Sequence, residues 1–306
     1  MRILVTGASG HIGSAVVPEL IGAGHQVVGL ARSDASAKAI AALGAEVQRG
    51  DLDDPDGLRD AAAAADGVIH LASKSLGEGD FAAVIAANRR AVEALCEGLD
   101  GSGKPLVITT GTLSLSFGSD AADRPYTESD IATAGPLADA ESAVIATAER
   151  GVRPVVVRPA PLVHSTLDHH GFGPTLIAIA RAKGVSGYVG DGANRWPAVH
   201  TLDTARLYRL AVEQAPAGSR LHAVAEQGVP FREIAETIAR NLDVPLKSID
   251  PQDVAEHFGF MSAFIARDNP TSSARTQDLL GWRPVHPGLL ENLDQGHYFA
   301  NHSPAM

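Results

Sequence analysis

Three glycines near the start of the chain, Gly7, Gly10 and Gly13, stand three residues apart directly after the apolar run Ile3–Val5. A strand, a glycine-rich turn and a helix start in this order are the context in which a glycine loop binds the pyrophosphate of a dinucleotide. Glycine permits a tight turn, close approach of backbone to phosphate, and close packing of helix against sheet. The helix N-terminus then offers free N–H groups and a partial positive charge to the phosphates. We therefore predict a cofactor site at the loop residues Gly7, Ser9, Gly10, His11, Ile12 and Gly13.

The turn after the second apolar run is where a dinucleotide site selects its cofactor. An acidic residue at the end of this strand holds the ribose hydroxyls of NAD, whereas a nearby arginine accommodates the 2′-phosphate of NADP. Here the run Val27–Leu30 is followed by Ala31, Arg32 and Ser33, and the first acidic residue is Asp34. Arg32 can pair with a phosphate and Ser33 can donate a hydrogen bond to it. A solvated surface arginine is the alternative, and the missing terminal acid favours NADP(H).

Short apolar runs alternate with helical stretches through the first two-thirds of the chain. The runs lie at Ile3–Val5, Val27–Leu30, Val68–Leu71, Leu106–Ile108 and Val155–Val157. Such runs, joined by helices, are typical of a parallel sheet that is covered on both faces. After Arg158 the chain is richer in loops that contain Pro, Gly and His. We therefore predict an α/β fold with a Rossmann-type doubly wound parallel sheet in residues 1–163. A smaller, mostly helical C-terminal substrate lobe is predicted in residues 164–306, with segments around 197–226 returning to the sheet.

The composition argues against several classes of protein. The 306 residues carry a formal net charge of −11 and no Lys/Arg-rich run, so nucleic acid is not expected as a partner. No apolar run approaches the roughly 18 residues of a membrane span, so no membrane is expected as a partner. Cys96 is the single cysteine in the sequence, which precludes an intramolecular disulfide and favours a reducing compartment. We expect a cytoplasmic protein.

Several stretches of the sequence follow the pattern of one enzyme superfamily. They are TGASGHIG (6–13), RGDLDD (49–54), VIHLAS (68–73), VVVRPAPLVH (155–164), PAVHTLDTARL (197–207) and ARTQDLLGWRP (274–284). Together they resemble the short-chain dehydrogenase/reductases of the extended or atypical kind, and in particular atypical members described as NAD-dependent epimerase/dehydratase-like proteins. The resemblance implies that Asp51 and Leu52 flank the adenine and that Ala72 passes the cofactor ribose. It also implies that Pro159 lies beside the nicotinamide.

The pair of residues that this superfamily uses for proton transfer is missing. The resemblance implies a tyrosine that exchanges a proton with a substrate carbonyl, and a lysine four residues later that lowers the tyrosine pKa. The chain has four tyrosines, and none has a lysine four residues later: Tyr126, Tyr188, Tyr208 and Tyr298. The stretch GPLADAESAV (135–144) can be aligned with the missing pair in two ways. In the first alignment Glu141 stands at the lysine position and Leu137 at the tyrosine position. In the second, Glu141 stands four residues beyond the lysine position. The second alignment puts Leu137 at the lysine and Thr133 at the tyrosine, and it fits the distance to Gly151 better.

Other residues are candidates for the missing roles. Thr110 and Thr112 follow the fourth apolar run, near the position at which the superfamily places a Ser or Thr that holds the carbonyl oxygen, although β-propensity alone also explains them. His164 directly follows the nicotinamide-side segment and is a candidate acid, because histidine titrates near neutral pH. The residues predicted to line the substrate pocket are Ser73, His169, Tyr188 and Trp196. The neighbours His169 and His170 lack the i, i+4 spacing of two ligands on one helix face, so no metal is predicted.

These observations predict an NADPH-dependent reductase with a non-standard active site. The expected substrate is a carbonyl, or a related C=N group, in an apolar small molecule. The missing pair does not exclude this reaction, because hydride transfer itself needs no protein acid, only a substrate carbon held against the nicotinamide. A non-catalytic NADP(H)-binding protein that senses redox state is the alternative. A sugar-type epimerase or dehydratase comes third, because those reactions depend most on the missing base. A homodimer is an expectation from the superfamily.

Overall fold

The computed structural model describes residues 1–74, 81–117, 124–133 and 135–300. The strands of the described chain are β1 (Arg2–Thr6), β2 (Gln26–Ala31), β3 (Glu46–Arg49), β4 (Gly67–His70), β5 (Pro105–Thr109), β6 (Arg153–Pro159), β7 (Leu162–His164), β8 (Ser186–Val189), β9 (Arg195–His200), β10 (Ser219–Ala223), β11 (Glu226–Pro230) and β12 (Leu246–Ile249).

The α-helices that connect these strands are α1 (Gly13–Gly22), α2 (Asp34–Ala42), α3 (Pro55–Ala63), α4 (Phe81–Gly98), α5 (Pro136–Ala146), α6 (Phe172–Lys183), α7 (Thr201–Gln214), α8 (Phe231–Leu242), α9 (Val254–Phe258), α10 (Ala274–Leu280) and α11 (Leu289–Asp294). Short 3-10 helices occupy Thr112–Ser116, Thr147–Arg150 and Gly259–Ala263.

The largest sheet in the described chain has seven strands in the order β3-β2-β1-β4-β5-β6-β10. All neighbouring strands in it are parallel. Helices cover both faces, because successive side chains of a strand point to opposite sides. In β1, Ile3 and Val5 belong to one buried cluster with α1 and α7, whereas Leu4 belongs to another with α3 and α4. The predicted Rossmann-type doubly wound fold is confirmed.

The order of the strands reverses at β1, and this point defines a candidate cleft. Strand β1 pairs with β2 on one side and with β4 on the other, so the connections from β1 and β4 leave in opposite directions. In open α/β sheets, ligands bind in the crevice at the carboxyl ends of the strands at this point. The ends of β1, β2, β4, β5 and β6 therefore define the candidate site.

Two strands of the large sheet, β3 and β10, are absent from the apolar runs of the sequence, and they form its two edges. Strand β3 reads Glu-Val-Gln-Arg, and its side chains are exposed or half-buried along its whole length. It lies at the edge of the sheet and pairs only with β2 within the described chain. An edge strand buries little apolar surface, so it carries no continuous hydrophobic signal.

The C-terminal half contributes to both the large sheet and a second core. Strand β9 lies between β7 and β11 in a three-stranded sheet, and β8 pairs with β12. These elements pack with α6 and α8 around buried residues that include Leu176, Trp196 and Phe231. Strand β10 instead extends the large sheet beside β6. The division between residues 163 and 164 stays a prediction.

Two features of the described chain bear on its surroundings. None of its helices is long and apolar enough to cross a membrane. Cys96 is buried in α4, and burial raises the pKa of its thiol to about 12. A thiol in this setting stays protonated and acts as a small apolar side chain.

Candidate functional site

The glycine loop connects β1 to α1 and is packed too tightly for any other residue type at two positions. Gly7 has a φ of +69°, and a Cβ atom there would lie 2.8 Å from the backbone nitrogen of Ala72. A Cβ atom on Gly13 would lie 2.1 Å from the carbonyl oxygen of Gly7. The loop is therefore fixed against the end of β4 on one side and against the start of α1 on the other.

Gly10 performs a different task in the same loop. Its N–H donates to the Gly7 carbonyl at 2.9 Å, and a Cβ atom on it would come within 4 Å of that carbonyl oxygen alone. Beyond the turn, α1 begins with neither a side-chain cap at Ile12 nor an acidic residue in its first turn. An uncapped helix N-terminus beside open space is suited to a pyrophosphate, so the residues present fit a dinucleotide.

Polar contacts hold the end of β4 beside this loop. The hydroxyl of Thr6 lies 2.8 Å from His70 Nδ1 and accepts a hydrogen bond from the backbone N–H of Ala72 at 3.2 Å. Burial lowers the pKa of His70 to about 4, so the ring is neutral and structural. Ser73 accepts a hydrogen bond from Asn88 of α4 at 3.1 Å. Ala72 and Ser73 thus lie at the mouth of the crevice.

At the ends of β2 and β3, Arg32 is the cation that forms no ion pair with a described residue. Arg32 is exposed directly after β2. Ser33 caps α2, because its side chain accepts from the N–H of Ser36, which bonds back to Ser33. Asp34, the first acidic residue after the strand, forms an ion pair with Arg49. The Asp51 carboxylate accepts a hydrogen bond from the backbone N–H of Asp53 at 3.0 Å.

The two candidate threonines after β5 have different surroundings. Thr110 is half-buried, and its hydroxyl lies 3.5 Å from an oxygen of Glu141. Thr112 is fully buried, and its hydroxyl donates to Asn269 Oδ1 at 3.0 Å while Asn269 donates back to the Thr112 carbonyl. The structure therefore gives Thr112 a structural role. Thr110, which is half-buried at the end of β5 and bonds through its backbone N–H to the Val157 carbonyl of β6, is the remaining candidate.

Glu141 of α5 is the centre of a buried charge cluster. Its carboxylate pairs with the guanidinium of Arg158 in β6, a side chain with no exposed surface, and with Arg220 in β10. Burial opposes ionisation, but the hydrogen bonds and charges of Arg158 and Arg220 hold the pKa of Glu141 below its usual range. A carboxylate shared by two arginines is a poor base. Leu137, one turn earlier on α5, is 47% exposed and offers no titratable group.

His164 does not have the protonated form that the predicted acid role requires. It is buried at the end of β7, with Nδ1 3.1 Å from the Asn292 side-chain oxygen. Burial lowers its pKa to about 4, although the bond to Asn292 opposes this effect. The imidazole is therefore neutral near pH 7 and cannot deliver a proton as an imidazolium.

The residues predicted to line the substrate pocket have different surroundings in the structure. Trp196 has no exposed surface and packs against Phe172 and Phe231 in the second core, which corrects the expectation that it lines a pocket. Tyr188 lies in β8 with the Arg232 guanidinium 5.4 Å from its ring centre. His169 is exposed in the loop before α6.

One contact of the glycine loop is not foreseen from the sequence. His11 reaches across to Thr201, the first residue of α7, and to Asp168 in the loop before α6. The sequence signal is a histidine between the glycines of the loop, but its partners lie more than 150 residues away. Only the folded chain brings these groups together.

Comparison with known proteins agrees with this geometry. Residues 3–224 match the model of the NAD dependent epimerase/dehydratase family. The chain belongs to this family. Its members are extended short-chain dehydrogenase/reductases, so the protein is of a class of NAD(P)-dependent enzymes.

Individual relatives extend over most of the chain. An uncharacterized protein of Schizosaccharomyces pombe is 43% identical over 98% of this chain and 100% of its own length. A 2-alkyl-3-oxoalkanoate reductase of Stenotrophomonas maltophilia is 29% identical over 80% of this chain and 77% of its own. The structure of a UDP-glucose 4-epimerase from Thermus thermophilus in complex with NAD has a TM-score of 0.75 at 20% identity, covering 99% of this chain and 100% of that chain. The last likeness shows the fold alone.

The packing of the loop predicts a sharp difference between two glycines of α1. Gly13→Ala should lower the free energy of unfolding by at least about 1–3 kcal/mol and weaken binding of a nicotinamide cofactor, because the added methyl overlaps the Gly7 carbonyl. Gly22→Ala is the matched control, since nothing lies within 4 Å of its Cβ position. Urea unfolding and titration with NADH and NADPH measure both effects. Equal stability and affinity in the two variants would contradict the packing described.

The buried charge cluster gives a second prediction. Glu141→Gln should destabilise the protein by about 3–5 kcal/mol, because it leaves Arg158 buried without a counter-charge. Glu149→Gln, on the exposed 3-10 helix that follows α5, is the control and should change stability by less than about 0.5 kcal/mol. Urea unfolding at neutral pH compares the two. A Glu141→Gln variant as stable as Glu149→Gln would show that the cluster contributes nothing.

Proposed function

We propose that the protein is an NADPH-dependent reductase of a carbonyl, or a related C=N group, in an apolar small molecule. The observation that carries the proposal is the intact glycine loop with an exposed Arg32 beside it. The 29% identical relative from Stenotrophomonas maltophilia, a 2-alkyl-3-oxoalkanoate reductase, supports reduction of an oxo group. When bound, the cofactor supplies the hydride.

The preference for NADP(H) follows from charges at the end of β2. Asp34 is the acidic residue nearest to the strand end, and its ion pair with Arg49 competes with any bond to ribose hydroxyls. Arg32 is exposed one residue after the strand, where a guanidinium can meet a 2′-phosphate in a bidentate geometry. Ser33 is occupied as the cap of α2, so Arg32 supplies most of the discrimination.

Replacing Arg32 tests the choice of cofactor. Arg32→Ala should weaken NADPH binding roughly 10- to 100-fold and leave NADH binding nearly unchanged, because only NADPH carries the 2′-phosphate. Lys38→Ala removes an equal charge from the exposed surface of α2 and should leave both affinities within about twofold. Fluorescence titration with each cofactor gives the four constants. An unchanged NADPH/NADH ratio in Arg32→Ala would refute the assignment.

The chain supplies one side chain suited to hold a substrate oxygen. Thr110 follows β5 at the carboxyl end of the strand, and its backbone N–H donates to the Val157 carbonyl of β6 at 3.1 Å. Its hydroxyl can donate to a carbonyl oxygen as negative charge develops there. In the structure this hydroxyl points to the Glu141 carboxylate at 3.5 Å, so it rotates away from Glu141 to donate to a substrate oxygen.

A row of half-buried aromatic rings favours an apolar substrate. Phe117 follows the 3-10 helix after β5, and its ring centre lies 6.0 Å from that of Phe264. Phe264 in turn stacks on Phe172 at the start of α6, also at 6.0 Å. The three rings join the edge of the large sheet to the C-terminal lobe. Half-buried aromatic surface between lobes is typical of pockets for apolar ligands.

The two threonines should separate chemistry from stability. Thr110→Val should lower kcat roughly 100-fold with little change in melting temperature, because it removes a donor to the substrate oxygen. Thr112→Val should lower the free energy of unfolding by about 1–3 kcal/mol, because Asn269 loses a buried partner, and should leave kcat within about threefold. Steady-state kinetics and thermal unfolding of both variants decide this. A kcat unchanged by Thr110→Val would remove Thr110 from the mechanism.

A non-catalytic NADP(H)-binding sensor is the second candidate. The observation that favours it is the absence of any Tyr-x-x-x-Lys sequence in the chain. Incubation with NADPH and a panel of ketones, aldehydes and imines separates the two functions. Loss of NADPH absorbance with a panel member supports the reductase, whereas tight binding with no turnover supports the sensor.

A further inference from the structure

His11 links the glycine loop to a chain of hydroxyl groups. Its Nε2 lies 2.8 Å from Thr201 Oγ1, which accepts a hydrogen bond from Ser165 Oγ at 2.8 Å. His11 Nδ1 faces Asp168 Oδ1 at 3.4 Å, and a carboxylate accepts hydrogen bonds, which favours the proton of the neutral imidazole on Nδ1. In that tautomer the Thr201 hydroxyl donates to His11 Nε2.

Asp168 is a carboxylate with unusually little access to water. Its side chain is 2% exposed, and it accepts hydrogen bonds from the Gly171 N–H at 2.8 Å and the Tyr298 hydroxyl at 3.2 Å. Burial raises its pKa to about 6, and the bonds from Gly171 and Tyr298 only partly oppose this effect. Burial also lowers the pKa of His11 to about 4, with smaller contributions from nearby histidines. Near neutral pH Asp168 is therefore ionised and His11 is neutral, so the pair carries one negative charge.

We propose that the His11–Asp168 pair takes up a proton when a nicotinamide cofactor binds to the glycine loop. The proposal rests on cofactor binding at this loop, which is part of the proposed function. The bound pyrophosphate adds negative charge beside His11, whose own backbone belongs to the loop. Added negative charge near the pair disfavours the ionised carboxylate and favours an imidazolium, so the pKa of each group rises. The pair then carries a proton in the cofactor-bound protein.

This proton meets a requirement of the reaction. In carbonyl reduction the hydride of NADPH adds to the carbonyl carbon, the carbonyl oxygen takes one proton, and NADP⁺ remains. The chain lacks the tyrosine and lysine pair that the resemblance assigns to proton delivery. A proton that the pair takes up when the cofactor binds places the one proton that the reduction consumes inside the protein.

Several titratable groups around the pair have partners of their own. His164 faces Asn292, and Asp203 bonds to His286, which stacks on His200 with ring centres 4.6 Å apart. Tyr298 donates to Asp168, and burial raises the pKa of its hydroxyl well above the usual range. His169 and His170, exposed before α6, act on the pair itself: the backbone N–H of His170 bonds to Asp168, and both rings help to lower the pKa of His11. The pair formed by His11 and Asp168 is thus the titrating unit that touches the glycine loop directly.

Calorimetry counts the protons that accompany binding. NADPH is titrated into the protein near neutral pH in buffers of different ionisation enthalpy, and the slope of heat against that enthalpy gives protons taken up. The 2′-phosphate of NADPH also titrates in this range, so the quantity compared is the difference between proteins. Wild type should take up about 0.2–1 proton per cofactor more than Asp168→Asn. Asp191→Asn, the same change in an exposed turn, should match wild type.

His11→Gln provides a second arm if Asp168→Asn fails to fold. Glutamine can still bond to Thr201 but cannot take a proton, so this variant should also lose the extra uptake. A merely structural tie between the loop and α6 would change affinity or stability and leave the proton count unmoved. Equal proton counts in wild type and both variants would overturn the proposal. Absence of any NADPH or NADH binding would overturn the proposed function as well.

Discussion

The close packing of the glycine loop against β4 and α1 is the constraint on which the functional site depends. A missing Cβ at Gly13 lets the start of α1 come within van der Waals contact of the Gly7 carbonyl, and a missing Cβ at Gly7 lets the loop contact Ala72. Together they aim an uncapped helix N-terminus into the crevice between β1 and β4. Every other group assigned to the cofactor takes its position from a strand end at this crevice.

The opposite wall is organised by charge. Helix α5, which the resemblance aligns with the missing catalytic pair, is tied to β6 by the buried Glu141–Arg158 pair. The same carboxylate lies beside Thr110. The helix has thus kept a role in holding the wall of the site without presenting a titrating side chain from Leu137. Burying such an ion pair costs desolvation free energy. Loss of either partner would cost more, because it would leave the other charge buried without a counter-charge.

Much of the fold could be predicted from local patterns. The runs at Ile3–Val5, Val27–Leu30 and Val155–Val157 lie in central strands, which must be apolar on both faces. Strand β3 could not be found this way, because an edge strand with exposed Glu46 and Arg49 needs no apolar pattern. The family assignment that the quoted motifs imply is confirmed by the match over residues 3–224.

The sequence predicts the candidate site only where local backbone geometry, and not a distant side-chain partner, decides the role of a residue. The glycines could be assigned to a loop because their spacing reflects a steric requirement. The difference between Thr110 and Thr112 could not be predicted, because Thr112 is held by Asn269, a partner far away in the sequence. The burial of His164 and Trp196 could not be foreseen for a related reason. Their types suit an active site, but long-range packing buries both of them. The partnership of His11 with Asp168 likewise depends on a loop that only the fold brings near.

The central claim is that this chain transfers hydride from a nicotinamide cofactor without a tyrosine and lysine pair. The most direct measurement uses NADPH that carries deuterium at C4 of the nicotinamide, with a panel of apolar ketones, aldehydes and imines. We expect mass spectrometry to find one deuterium on the reduced carbon of at least one product with wild-type protein. We expect much less with Thr110→Val. Tight binding of NADPH with no deuterium in any product would contradict the claim and leave a binding protein in place of an enzyme.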